Sequence, residues 1–144
     1  MEEYPRFIYG KTVAGEQKVT KLDADGALAH PFQQTTLHTS GAETATVTGL
    51  DVNVEQLKAA NFYLDVTAVS GTTPTLDVKI QEKDPVSGKY FDLFSFTQQT
   101  AISSERKSYG LGAGELLGKV IRYVATIGGT TPSFTFSLSM VAKS

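Results

Sequence analysis

The sequence contains no cysteine and no tryptophan, only two histidines, and little charge. Without cysteine there is no disulfide, no thiolate metal ligand and no cysteine nucleophile. Charged residues make up 19% of the 144 residues, the formal net charge is −2, and Lys and Arg never run beyond the pair at 106–107. Because nucleic-acid affinity comes mostly from clustered cations that neutralise phosphates, we expect no nucleic-acid partner.

Long hydrophobic runs are also missing. No apolar stretch approaches the roughly 20 residues that a membrane-spanning helix needs. The acidic first residues, Met-Glu-Glu-Tyr-Pro, lack the apolar core of a secretory signal. We therefore expect no membrane partner.

Motifs for catalysis, metal binding or nucleotide binding are equally scarce. His30 and His38 are eight positions apart in a loop-like region, and alone they supply too few ligands for a zinc site. The glycines of 110–114 lack the final glycine and the long helix of a dinucleotide-binding loop. Asp-Ala-Asp-Gly at 23–26 opens like a calcium loop but lacks its later ligands, and no serine lies in a Gly-x-Ser-x-Gly elbow. We expect no catalytic residue, no metal, no cofactor and no small-molecule substrate.

What the sequence does contain is β-strand patterning. Apolar and polar residues alternate with a period of two in three segments, at 62–68, 75–81 and 133–140, and a further strand is predicted at 119–127. The Asp-Pro-Val-Ser-Gly-Lys stretch at 84–89 is a turn signal, so 75–97 is predicted to form a hairpin. The best candidate for a short helix or a turn is 54–61. Residues 98–107 are predicted to form a polar loop. Such strands predict an all-β fold: an antiparallel β-sandwich, jelly-roll-like, or a small barrel.

The first thirty or so residues differ from the rest of the chain. We divide the sequence into an extended N-terminal arm with one short strand, 1–33, and a β-sandwich domain, 34–144. The strand is placed at 18–22, before an Asp-Gly turn. Three aromatic residues fall within 4–9 and need to be covered, either by the domain's own core or by a neighbouring subunit.

One segment of the sequence is echoed later in the chain. Residues 66–78 recur as 124–136, each copy reading strand, Gly-Thr-Thr-Pro, strand. We expect two similar connections at one end of a sandwich, each joining neighbouring strands. The rim loops would present Thr72, Thr73, Thr130 and Thr131 to a partner, or the motif is turn chemistry alone.

With these motifs, the sequence resembles small β proteins from tailed bacteriophages and prophages. The resemblance covers about 19–142 and rests on four stretches: Val-Thr-Lys-Leu-Asp-Ala-Asp-Gly at 19–26, Ala-Val-Ser-Gly-Thr-Thr-Pro-Thr-Leu-Asp-Val at 68–78, Lys-Tyr-Phe-Asp-Leu at 89–93 and Ile-Gly-Gly-Thr-Thr-Pro-Ser-Phe-Thr-Phe-Ser at 127–137. Proteins of this group are virion components. In its size and its lack of catalytic motifs, the sequence is most similar to a capsid decoration (cement) protein.

The resemblance implies a structural protein on the capsid exterior that binds across neighbouring capsomers as a trimer. Its partners would be the major capsid protein and other copies of itself. The arm contacts would then be Tyr4, Phe7, Ile8 and Tyr9, with Arg6 paired to an acidic group of the neighbour. The alternatives are a tail, fibre or head–tail joining protein and, from another class, a carbohydrate-binding module. A module of that kind would use Tyr63, Tyr90, Tyr109 or Tyr123 as its sugar platform.

Overall fold

A computed structural model describes residues 32–144 in full and the backbone of residues 9–11 and 17–19. The chain divides into two units, Met1–Pro31 and Phe32–Ser144. In the first unit, β1 (Tyr9–Lys11) pairs antiparallel with β2 (Gln17–Val19). The predicted strand at 18–22 overlaps β2, and the rest of it lies outside the described residues.

The second unit is a seven-stranded antiparallel sheet, and the described residues contain no helix. The prediction of an all-β antiparallel fold is therefore confirmed. The strands are β3 (Phe32–Glu43), β4 (Val47–Thr48), β5 (Val52–Asn53), β6 (Ala59–Lys83), β7 (Tyr90–Ser95), β8 (Ser103–Tyr109) and β9 (Val120–Lys143).

Two very long strands, β6 and β9, form the centre of the sheet and pair with each other from end to end. Each has different neighbours in its two halves. The first half-sheet runs β3, the end of β9, the start of β6, β8. The second runs β4 and β5, the start of β9, the end of β6, β7.

The two half-sheets fold over and face each other. Phe62 and Ile80 lie 18 positions apart in β6, and a straight strand would separate them by about 60 Å. Phe94, the β7 partner of Ile80, nevertheless lies with its ring centroid 5.0 Å from that of Phe62. Alternate side chains of both halves bury into one core, which makes the unit a sandwich.

The bends that allow this folding are the two Gly-Thr-Thr-Pro segments. The prediction that they are turns joining neighbouring strands is wrong, because both lie inside β6 and β9 and pair with each other, Thr72 opposite Thr130. Gly71 and Gly129 adopt φ of 110° and 114°, and Thr73 and Thr131 adopt φ of 49° and 48°. Extra residues here disrupt the ladder and bend both strands.

The crossing of the two motifs is nearly two-fold symmetric. A Cβ placed on Gly71 would lie 2.7 Å from the Thr131 carbonyl oxygen, and one on Gly129 would lie 2.7 Å from that of Thr73. Each glycine therefore packs against the backbone of the other motif. The repeated sequence motif therefore coincides with a structural two-fold axis, where a close approach between glycine and backbone occurs twice.

Of the local predictions outside the long strands, some are confirmed and others are wrong. The hairpin around 84–89 is present, with Gly88 at φ 70° and the Asp84 carboxylate accepting hydrogen bonds from the backbone N–H of Val86 and Ser87. Residues 54–57 form a turn rather than a helix, and β6 begins at Ala59. The polar loop predicted at 98–107 is wrong in its second part, since β8 begins at Ser103.

Candidate interaction surfaces

The predicted arm contacts lie mostly outside the described residues. Tyr4, Arg6, Phe7 and Ile8 belong to that part of the chain, and of Tyr9 only the backbone, in β1, is described. Their contacts with a neighbour stay a prediction. His30 also lies outside.

The four threonines of the echoed motif are brought together by the fold, although not as loops. Thr72, Thr73, Thr130 and Thr131 are all exposed at the bend where the half-sheets meet. The hydroxyl of Thr73 donates to the backbone carbonyl of Thr72 at 2.8 Å. Their role as partner contacts stays a prediction.

The outer face of the second half-sheet is a connected polar network, which we call the charged face. Asp51 accepts from the Lys83 ammonium at 2.8 Å and from the Tyr90 hydroxyl at 2.7 Å. These hydrogen bonds hold the pKa of the Asp51 carboxyl below its usual range. The Arg122 guanidinium lies 3.3 Å from the Tyr90 ring centroid and donates to the Gln81 side chain at 3.0 Å.

The network continues toward the edge of that half-sheet. Gln81 donates to one Asp92 oxygen at 2.7 Å, and Lys79 donates to the other at 3.0 Å. These donors lower the pKa of Asp92, with the Gln81 bond first. The charged groups of this face thus bind mainly one another, so the face is largely satisfied by its own side chains.

The outer face of the first half-sheet has the opposite character, and we call it the uncharged face. It consists of the side chains of β6 and β9 that alternate with the buried ones, in the register pairs Asn61–Val141 and Tyr63–Ser139. Around them, Thr36 and Ser108 extend the row onto β3 and β8. Its charged residues are Arg106, opposite Tyr63 on the edge strand β8, Asp65, two positions further along β6, and Lys143 at the end of β9.

One shallow groove lies at an end of this face. It holds about 240 Å³ and is lined mainly by apolar atoms of Phe32, Leu111 and Val141, beside Asn61 and the lysine that ends β9. Phe32 and Leu111 are 74% and 70% exposed. The uncharged face and this groove were not predicted from the sequence. A signal for the face is present, however, because the outward-facing positions of 133–139 are Ser, Thr, Ser and Ser, with no charge.

A partly buried histidine links the two half-sheets. His38 of β3 stacks on Phe136 with ring centroids 4.3 Å apart, and its Nδ1 lies 2.8 Å from the Tyr123 hydroxyl oxygen. Its Nε2 is buried with no hydrogen-bond partner, 3.7 Å from the Glu43 carboxylate. Burial lowers the pKa of His38, and the nearby Glu43 charge opposes that shift only in part. This arrangement is a structural link within the core.

The residue groups that chemistry requires do not assemble in the described part of the chain. Residues 32–144 hold no group of three or more His, Asp or Glu side chains placed to bind a metal. The sugar-platform tyrosines do not form one flat surface: Tyr123 is buried, Tyr109 stacks on Phe94, and Tyr90 has Arg122 over its ring. No helix among the described residues is long and apolar enough to span a membrane.

Known structures share this fold at low sequence identity. A chain of the infectious bursal disease virus Gx strain matches with a TM-score of 0.52 and 9% identity, covering 89% of this chain and 34% of that chain. A chain of the Bacillus endospore appendages, described as a novel family of disulfide-linked pili, matches with a TM-score of 0.50 and 15% identity over 87% of this chain and 98% of that one.

The SPBc2 prophage-derived protein YomS is also similar, with a TM-score of 0.45 and 13% identity over 81% of this chain and 96% of that chain. No protein-family model and no curated protein matches the sequence. Because the identities are so low, the virus and pilus likenesses describe a shared fold only.

Proposed function

We propose that this protein is a structural component of a virus particle, and that it decorates and stabilises a phage capsid by binding across neighbouring capsomers. The observation that carries the proposal is the uncharged face. Protein interfaces are depleted of charged residues at their centre, enriched in Tyr and bordered by a polar rim. Tyr63 and its neighbours Ser139, Asn61 and Val141 carry no charge, while Arg106 on the edge strand β8 and Asp65 on β6 lie beside them.

The fold is consistent with such a role without being specific to it. A chain of similar fold occurs in a virus structure and another in a pilus. A protein that repeats over a particle surface can bind weakly at each site, because many copies act together. A structural role needs no catalytic group, which agrees with our expectation that the protein is not an enzyme.

The pilus likeness favours one alternative, a subunit of a filament or tail. Location on the particle separates the two, since a decoration protein binds the shell and a tail subunit binds its own kind. We keep the trimer and the arm contacts as expectations within the decoration proposal.

The test is co-sedimentation of the purified full chain with cognate capsids stripped of accessory proteins, in expanded and unexpanded forms. We expect saturable binding to the expanded form at a fixed number per capsomer. Ser139→Arg should weaken this binding at least tenfold, because it places a charge at the centre of the uncharged face. Thr126→Arg is the matched control, on an exposed position of the charged face, and should bind normally.

The arm is tested separately by deletion of residues 1–15. Loss of shell binding by this truncation, with an unchanged circular dichroism spectrum, would support arm docking, and full binding would overturn that part. If neither capsid form binds the intact protein, the decoration proposal is wrong and the tail or filament alternative takes its place.

A further inference from the structure

The four edges of the folded sheet are protected very differently. Exposed edges offer unpaired N–H and C=O groups, and proteins usually block them with charge, proline or short length. Edge strand β8 has Glu105, Arg106 and Lys107 in succession, and β7 has Asp92 at its centre. A third edge consists of β4 and β5, each only two residues long.

Strand β3 has none of these protections. It is 12 residues long, and no Asp, Glu, Lys, Arg or Pro occurs in it before Glu43. Within residues 32–144 it pairs with β9 on one side and with no strand on the other. Every second residue of an antiparallel edge strand directs its N–H and C=O away from its neighbour. The β3 edge is therefore the one, among the described residues, that is chemically open to another strand.

The ladder limits which part of β3 can pair regularly. Register shifts fall between Thr36 and His38 and between His38 and Gly41, so the continuous stretch is 32–36. Bulges twist a strand and interrupt pairing. A five-residue stretch can pair antiparallel with a copy of itself in one fully overlapping register, which is centred on Gln34.

We propose that a second copy of this chain pairs with β3 across a two-fold axis at Gln34, extending the first half-sheet into a continuous sheet through both molecules. Gln34 lies opposite Gln34 of the second copy, and Phe32 lies opposite Thr36. No charge meets a like charge, whereas the β7 or β8 edge of another copy would place unmatched charge against Gln and Thr.

The pairing also covers an otherwise exposed ring. Phe32 is 74% exposed, and in this register it lies beside the Thr36 and Gln34 side chains of the second copy. A two-fold contact joins two molecules or two larger oligomers, and does not itself build a trimer. The inference does not depend on the capsid role, and its test uses no capsids.

The natural absence of cysteine makes the register directly testable by disulfide formation. Opposite residues of an antiparallel pair have Cα atoms about 4.5–5.5 Å apart, within reach of a disulfide. Gln34→Cys in the full chain should form a covalent dimer under mild oxidation, read on a non-reducing gel. Gln33→Cys is the matched control, because its two copies would lie about 8 Å apart, beyond that reach.

We expect the Gln34→Cys dimer to form at least tenfold faster than the Gln33→Cys dimer. Equal rates in the two variants would overturn the register and the two-fold contact. In addition, Gln34→Lys brings two ammonium groups together and should halve the mass seen by sedimentation velocity, whereas Gln56→Lys, an exposed turn position, should not. An unchanged mass for Gln34→Lys would contradict the proposal. Circular dichroism checks that each variant is folded.

Discussion

The two half-sheets of the sandwich are made from the same two strands, yet their outer faces differ in chemistry. Both are built around β6 and β9, related by a near two-fold axis through Thr72 and Thr130. One outer face is held by a network of ion pairs and hydrogen bonds around Asp51, Arg122 and Asp92. The other has Ser, Thr, Asn and Tyr at its centre.

Backbone symmetry and surface chemistry are therefore separable in this molecule. Buried positions match across the dyad because both halves fill one core, as with Leu64 and Tyr123 or Leu76 and Phe134. Outer positions are free of that constraint, so one face can satisfy its own polar groups while the other stays available to a partner. Function in β-sandwiches is located on such surfaces rather than in the fold itself.

The largest effect is expected where the two halves depend on the same crossing. Gly71→Ala and Gly129→Ala should each lower the free energy of unfolding by about 3 kcal/mol or more, because each adds a Cβ against backbone at a φ that L residues rarely adopt. Urea denaturation measures both. If the dyad holds, the two losses agree within about 0.5 kcal/mol.

Gly88→Ala separates the two causes of that loss. Gly88 also has a positive φ, but a Cβ there meets no atom within 4 Å. It should therefore cost about 1–2 kcal/mol, the strain of a left-handed residue alone. A loss at Gly71 no larger than that at Gly88 would show that the close approach of the two motifs is not needed.

The crossing also marks how far sequence reasoning reaches. Alternation at 75–81 and 133–140 predicts the strands and their buried sides, because burial on one face imposes a period of two. The same Gly-Thr-Thr-Pro chemistry suits a turn or a strand bulge, and the choice depends on pairing between positions 58 apart, such as Thr72 and Thr130. A local pattern does not contain that information.

Strand β8 and the candidate surfaces were not predicted from the sequence, for related reasons. Ser103–Tyr109 covers the core from an edge, so its inward side chains are only partly buried and need not be apolar. Its sequence therefore lacks the alternation that identifies other strands. In the sequence, the uncharged face is visible only as an absence of charge at the outward-facing positions of two strands. These strands become neighbours only through the fold.

The next effect concerns the link between the half-sheets at His38. Tyr123→Phe removes the hydroxyl that contacts Nδ1 and leaves a second buried ring nitrogen without a partner. We expect a loss of about 1–3 kcal/mol in the free energy of unfolding at pH 7. A change below about 0.5 kcal/mol would mean that water reaches the ring and replaces the bond.

The same histidine predicts a pH dependence with a definite sign. Its folded pKa lies below the unfolded value of about 6.5, so below pH 6.5 the unfolded chain binds more protons than the folded one. The free energy of unfolding should therefore decrease as the pH falls from 7 to 5. His38→Phe should flatten this part of the profile. An unchanged slope in that variant would show that His38 is not the source of the effect.

The smallest effect is expected on the charged face. Arg122→Ala removes the stack on Tyr90 and the hydrogen bond to Gln81, and should cost about 1 kcal/mol, since partly exposed cation–π contacts are weak. Arg122→Lys keeps the charge but loses the planar group, so it should recover little of that loss. Full recovery by Lys would show that net charge, not stacking, holds this face. Neither variant should alter shell binding or the Gln34→Cys cross-link, because both surfaces belong to the other half-sheet.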